Sequence, residues 1–140
     1  CWEVYASNSA AVRYYEESAS AGRNGKPSRT PERELTFEDI LRLVKQGDAK
    51  AGEALDRMAH YLGLGISMLI TGLAPDVIVV VGEITRVWDR VGPRIDQAIR
   101  ERSYTHAPTR IVPTDPAAQP RLRGTIAFVL QKHFGAPSVA

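Results

Sequence analysis

The chain has 140 residues, of which 44% are hydrophobic and 24% are charged, values typical of a soluble globular domain. Its 18 Lys and Arg residues exceed its 16 Asp and Glu residues too slightly to indicate nucleic-acid binding. No apolar run approaches the roughly eighteen residues of a membrane span, so we expect no such span. A chain of this length forms one core and is too short for two independent domains.

Cysteine usage points to the cytoplasm. Cys1 is the only cysteine, so no internal disulfide is available, and a reducing, cytoplasmic setting is favoured. The three histidines, His60, His106 and His133, are too scattered to complete a zinc site with Cys1. The chain begins in mid-pattern without a charged-then-apolar leader, so we expect no secretory signal and interpret the chain as a fragment.

The amino-terminal half is predicted to be helical. Aromatic and small residues recur at spacings of three and four over residues 2–18, which predicts one helix, followed by a Gly- and Pro-rich surface loop over 19–34. Thr36 and Asp39 have the spacing of a capping box at the start of the next helix. Gly47 stands where a left-handed residue would end that helix.

A longer helix is predicted over residues 49–72. Its side chains are apolar on all faces after Tyr61, so its second half is expected to be buried nearly all round. Gly63, Gly65 and Gly72 interrupt it, and each costs about 1 kcal/mol relative to Ala in a helix interior. Close packing against a neighbouring element is the favoured explanation, and room for a ligand is the alternative.

The carboxy-terminal half alternates strands and helices. Residues 77–81 are five apolar residues without alternation, which predicts a strand buried on both faces. A helix over 85–102 follows, with a kink or break expected at Pro93. A second strand over 110–112, a Pro-rich loop and a last helix over 122–134 complete the pattern. The predicted class is α/β and helix-rich, with a small parallel sheet.

Generic catalytic motifs are weak. Gly82 and Glu83 lie at a strand–turn–helix junction of the kind that binds phosphate, but one glycine followed by a carboxylate is a poor nucleotide signal. The carboxylate pairs at 16–17 and 38–39 fit solvated helix surface or caps better than acid–base catalysis. The helix pair over 36–72 is too apolar in its second helix to read DNA.

Three stretches, taken together and in order, resemble the ROK family of repressors, open reading frames and sugar kinases. They are CWEVYAS at 1–7, LGLGIS through LAPDVIV over 62–79, and VGEIT at 81–85. The resemblance implies the C-terminal lobe of an actin-like, ribonuclease H-like ATPase-type domain over residues 1–140. It also implies that the N-terminal lobe, and any winged helix-turn-helix, lies outside this fragment.

The same resemblance implies roles for particular residues. The family signature holds zinc through one His and three Cys, and Cys1 matches the last of those cysteines. Glu3 matches the glutamate that binds sugar hydroxyls, although a carboxylate at a helix N-terminus is also explained by the helix dipole. Kinase members carry two or three glycines where this chain has Gly82 and Glu83. The Gly-Glu form resembles repressors responsive to N-acetylglucosamine or glucose and argues against ATP as a cofactor.

These implications favour the sugar-sensing portion of a cytoplasmic, homo-oligomeric ROK-type transcriptional regulator. Its effector would be a sugar or sugar phosphate, and DNA would be bound only through the N-terminal domain. The alternatives are the C-terminal lobe of an ATP-dependent hexose or N-acetylhexosamine kinase, and a lobe that serves assembly alone. The fragment itself is expected to be catalytically inactive.

Overall fold

The computed structural model describes residues 1–21, 34–102, 109–115, 117 and 120–134. Its elements in chain order are α1 (Glu3–Ala6), α2 (Asn8–Ala21), α3 (Phe37–Lys45), α4 (Ala49–Leu73), β1 (Val77–Val80), a 3-10 helix (Glu83–Val87), α5 (Trp88–Arg102), β2 (Arg110–Pro113) and α6 (Pro120–Phe134). No helix within these ranges combines the length and hydrophobicity needed to cross a bilayer.

The first predicted helix is divided into two. Ser7 has an extended backbone (φ −104°, ψ 166°) that ends α1, and its hydroxyl accepts a hydrogen bond of 3.2 Å from the Ala10 amide. Ser7 therefore caps α2, and the prediction of one continuous helix over 2–18 is wrong there. α2 runs to Ala21, inside the predicted loop, and the rest of that loop up to residue 33 lies outside the described ranges.

The capping box at the start of α3 is confirmed. The Thr36 hydroxyl accepts a hydrogen bond of 3.3 Å from the Asp39 amide, and the Asp39 carboxylate accepts one of 3.0 Å from the Thr36 amide. The buried Asp39 also pairs with Arg42 at 2.7 Å. Gly47 follows α3 with a φ of +84°, which supplies the predicted left-handed stop.

The central element of the fold is α4, against which α2, α3 and α5 pack. It begins at a cap, where the Asp48 carboxylate accepts a hydrogen bond of 2.8 Å from the Ala51 amide. The core lies between these helices. Its largest fully buried side chains are Ile40, Leu41, Leu55, Met58, Val91 and Ile95.

Two of the three glycines of α4 lie in close contacts. A methyl group at Gly63 would be 2.7 Å from the Ala98 Cβ on α5, and one at Gly65 would overlap the Trp2 indole. Nothing lies within 4 Å of the corresponding position at Gly72. The close-packing explanation is therefore confirmed at the first two glycines and wrong at the third.

The two strands pair in parallel, as predicted, with Val77 opposite Arg110. The prediction that β1 is buried on both faces is wrong for the described chain. Val80 is buried and Ile78 is packed against the core, whereas Val77 is 41% exposed and Val79 is 52% exposed. The side chains of a strand alternate between faces, and the described helices cover only one face of this sheet.

The same cause explains one further departure and the exposure of apolar side chains on α6. The prediction that the second half of α4 is buried nearly all round is wrong, since Met68 is 75% and Leu73 is 73% exposed. The apolar side chains of α6 are also exposed, among them Ile126 and Phe128. Helical periodicity identifies which faces are apolar, but these faces have no cover within the part of the chain that the structure describes.

The break expected at Pro93 is not found. α5 is continuous from Trp88 to Arg102 with Pro93 inside it. Pro93 and Asp89 are exposed, so water can bond the Asp89 carbonyl that lacks a helical partner. The irregular segment lies earlier, at the 3-10 helix that replaces the predicted helix start at Thr85.

Candidate functional site

A cleft of about 550 Å³ lies where the α1–α2 junction meets the turn after β1. That volume falls within the usual range for small-molecule sites. The lining residues come from three separate parts of the chain. They are Glu3, Ala6, Ser7, Asn8, Ser9, Met58, Leu62, Val80, Val81, Gly82, Glu83 and Ile84.

The cleft brings together three of the residues singled out in the sequence. Glu3 is the first residue of α1, and Gly82 with Glu83 forms the turn after β1. The ionisable groups among the lining residues are the carboxyls of Glu3 and Glu83. The wall formed by described residues is therefore acidic, and its other polar side chains are those of Ser7, Asn8 and Ser9.

The turn after β1 depends on glycine. Gly82 has a φ of +123° and a ψ of −175°, a conformation that residues with a side chain rarely adopt. Its carbonyl accepts hydrogen bonds from both the amide (3.1 Å) and the hydroxyl (2.8 Å) of Thr85. A 3-10 helix of five residues follows the turn, and α5 begins only after it, so the α-helical N-terminus that would attract phosphate is separated from Gly82.

Asn8 is a cleft residue that the sequence reasoning missed. Its side-chain amide donates a hydrogen bond of 2.7 Å to the Glu83 carboxylate. Asn8 is the first residue of α2, and the sequence signal for that start was the Ser-Asn-Ser run at 7–9, which is typical of a helix N-terminus. The helical spacing of the aromatic residues masked this signal.

A second side-chain pair holds the 3-10 helix to α3. The Arg86 guanidinium donates hydrogen bonds of 2.5 and 2.9 Å to the two carboxylate oxygens of Glu38. The hydrogen bond from Arg86 lowers the pKa of Glu38 below its ordinary value of 4.5, and the pKa of Arg86 is raised by the same bond. Glu38 therefore acts as an ion-pair partner, and the neighbouring Asp39 acts as a cap.

Cys1, the predicted zinc ligand, is not part of a metal-binding group within the described residues. Cys1 carries a free, exposed thiol, which suits a zinc ligand chemically. No group of three or more His, Cys, Asp or Glu residues that could hold a metal occurs in the described ranges. His60 instead lies edge-on to the Tyr61 ring at 5.7 Å, and His106 lies outside those ranges. The described residues do not by themselves make a zinc site.

Comparison with known proteins gives a consistent result. The model of the ROK family matches residues 1–132. The DNA-binding transcriptional dual regulator NagC of Escherichia coli is 28% identical over 103 residues, which are 74% of this chain and 25% of that protein. The chain spans about a quarter of the length of the curated relatives it matches.

Solved structures agree. A ROK family transcriptional regulator, described as a homolog of the E. coli MLC protein, superposes with a TM-score of 0.67 at 28% identity over 81% of this chain and 28% of that one. A ROK family glucokinase from Streptomyces griseus gives a TM-score of 0.64 at 23% identity over 81% and 39% of the two chains. The kinase likeness shows the fold alone, which is the predicted actin-like, helix-rich α/β architecture.

Proposed function

Since this chain belongs to the ROK family, we propose that it is the sugar-sensing portion of a ROK-type transcriptional regulator. The observation that carries the proposal is the meeting of Glu3 with Gly82 and Glu83 in one cleft. In this proposal, residues 1–140 are the C-terminal lobe of the domain. The N-terminal lobe closes the cleft from the other side.

Glu3 suits the binding of a sugar. A carboxylate has two oxygens that accept hydrogen bonds from neighbouring hydroxyls, and bonds to a charged acceptor are the stronger kind. No side chain in the described ranges is hydrogen-bonded to the Glu3 carboxylate, which leaves it available for a ligand. The effector is a sugar or sugar phosphate that presents hydroxyls to this carboxylate.

The carboxylate of Glu83 favours a sugar-sensing role over a kinase role. A carboxylate about 4 Å from a phosphate oxygen costs on the order of 1–4 kcal/mol in water-like to surface-like dielectric. A helix N-terminus typically offers an anion only about 0.3–1 kcal/mol. The repulsion is the larger effect, so we propose that the turn at Gly82 does not bind ATP tightly.

The response to sugar follows from a shift between two arrangements of the lobes. A sugar that binds the closed arrangement more tightly than the open one increases the closed population. We propose that a DNA-binding domain elsewhere in the full-length protein reports this shift, and that the regulator works as a cytoplasmic homo-oligomer. NagC is by name a DNA-binding transcriptional regulator, which supports the first part of this proposal.

Cys1 is the one residue of this chain that we propose as a zinc ligand. In the full-length protein the thiolate of Cys1 would be one ligand, with the other three on residues that precede it. A zinc ion held there would be structural and would brace the segment next to Glu3. The proposed sensing role of Glu3 does not depend on zinc.

The test is calorimetry on the full-length protein with five ligands, namely glucose, N-acetylglucosamine, xylose, glucose 6-phosphate and N-acetylglucosamine 6-phosphate, combined with a phosphorylation assay with ATP. We expect binding of at least one sugar, altered DNA affinity on binding and no sugar phosphate formed. Measurable ATP-dependent phosphorylation would show the kinase alternative instead. If the protein binds none of the five ligands, the assembly role is left.

Two variants locate the site. Glu3→Gln keeps the size of the side chain but removes its charge, and we expect it to weaken sugar binding about tenfold or more. Glu53→Gln is the matched control, because Glu53 is exposed on α4 and does not line the cleft. Equal affinity in the two variants would place the sugar elsewhere.

A further inference from the structure

We propose that Trp2 is the positioning residue that holds Glu3 at the cleft, an inference that rests on the proposed sugar-sensing function. Trp2 directly precedes α1 and does not line the cleft itself. It acts on a ligand only through the placement of its neighbour. The position of α1 therefore decides where the Glu3 carboxylate lies.

α1 cannot fix its own position. It comprises only Glu3–Ala6, has no side-chain cap at its N-terminus and contains no buried residue. A single helical turn is unfavourable in water, because nucleation orders several residues for one hydrogen bond. The orientation of Glu3 therefore depends on contacts that neighbouring residues make with the rest of the fold.

Trp2 provides such a contact on the N-terminal side of Glu3. Its indole Nε1 donates a hydrogen bond of 2.7 Å to the Tyr61 carbonyl on α4, and its ring lies directly on Gly65. A methyl group at Gly65 would overlap the indole, so the indole can pack here only because residue 65 is glycine. Trp2 remains 45% exposed, so its ring adds little to the buried core. Its main effect is to fix the position of α1 on α4.

Other anchors of α1 act after Glu3, among them the Tyr5 ring, whose centroid lies 5.0 Å from that of Tyr61 on α4. Arg13 donates a hydrogen bond of 2.7 Å to the Val4 carbonyl. The Tyr14 hydroxyl donates one of 3.1 Å to the Tyr5 carbonyl. These bonds hold the C-terminal end of the turn. Without Trp2 the turn is free to fray from its N-terminus, where Glu3 stands.

The experiment measures ligand affinity by calorimetry in the full-length protein, with whichever of glucose, N-acetylglucosamine, xylose, glucose 6-phosphate and N-acetylglucosamine 6-phosphate binds the wild type most tightly. We expect Trp2→Ala to weaken binding about tenfold, and Trp2→Phe to weaken it less because a ring still covers Gly65. The midpoint of thermal unfolding should change little in both variants, since Trp2 is half-exposed. Gly72→Ala is the control on the same helix and should bind as the wild type does.

A double-mutant cycle separates positioning from general structure. Gly65→Ala should weaken binding in the wild type, because the methyl group displaces the indole, and should have no further effect in the Trp2→Ala background. Equal losses in both backgrounds, or wild-type affinity in Trp2→Ala, would overturn the inference while leaving the sugar-sensing function standing. If the wild type binds none of the five sugars and sugar phosphates, the sensing function fails, and this inference fails with it.

Discussion

The side-chain amide of Asn8 donates a hydrogen bond of 2.7 Å to the Glu83 carboxylate, across 75 residues of sequence. The bond joins the first turn of α2 to the glycine turn after β1, so it ties together two walls of the cleft. Because the acceptor is charged, the bond is of the stronger, charge-assisted kind. The shape of the cleft thus depends on a donor at position 8.

Replacing the Asn8 amide with a carboxylate should destabilise the fold. We expect Asn8→Asp to lower the free energy of unfolding by about 1–2 kcal/mol at neutral pH, because it removes a hydrogen bond and places two carboxylates together. Adding Glu83→Gln to Asn8→Asp restores a donor and an acceptor with the roles exchanged. Urea unfolding should show recovery in the double variant. Additive losses would mean that the two side chains do not interact in solution.

The pair of Glu38 and Arg86 should make stability depend on pH. The hydrogen bond from Arg86 lowers the pKa of Glu38 in the folded state below 4.5, its ordinary value. A lowered pKa contributes stability that is fully present above that ordinary value and is lost as the pH falls through the folded value. Urea midpoints of wild type and Glu38→Gln should therefore differ above pH 4.5 and converge in acid.

Salt provides the control for that experiment. Both side chains are partly exposed, so their attraction is screened at high ionic strength. The difference between wild type and Glu38→Gln should shrink in about 1 M salt. A difference that persists unchanged in acid would rule out the ionised pair as its cause.

Two glycines of α4 should respond oppositely to the same substitution. Gly63→Ala places a methyl group 2.7 Å from the Ala98 Cβ and the Ile95 carbonyl, and we expect a loss of about 1–3 kcal/mol from overpacking. Gly72→Ala meets nothing within 4 Å and should gain up to about 1 kcal/mol from helix propensity. Thermal unfolding measures both variants. A gain at both positions would contradict the close approach of α4 and α5.

The features that the sequence predicted correctly are mainly local ones. The capping box of Thr36 and Asp39 and the stop at Gly47 depend on residues within a few positions of one another, so their spacing identifies them. The break at Ser7 is also local, but the aromatic residues on both sides continue the helical spacing and conceal it. The hydrogen bond between Asn8 and Glu83 joins distant segments, and no spacing rule identifies such a pair.

Burial was the least predictable property, and for a different reason. The run at 77–81 correctly predicts an apolar strand, but not whether the elements that cover it belong to the same stretch of chain. Val79 and Met68 are exposed because the described elements pack on only one side of them. The family resemblance singled out Glu3 and Glu83 for separate roles, and neither it nor periodicity predicted that the two residues line one cleft.

The exposed apolar side chains should make the 140-residue chain associate with itself. Met68 is 75%, Leu73 is 73% and Val79 is 52% exposed, whereas soluble monomers rarely leave large apolar patches open to water. We expect light scattering to give a mass that rises with protein concentration. Met68→Glu combined with Leu73→Lys should lower that mass, because charges on this end of α4 resist burial in an interface. Glu53→Lys, on another exposed part of α4, should leave the mass unchanged, and a stable monomer at high concentration would contradict the prediction.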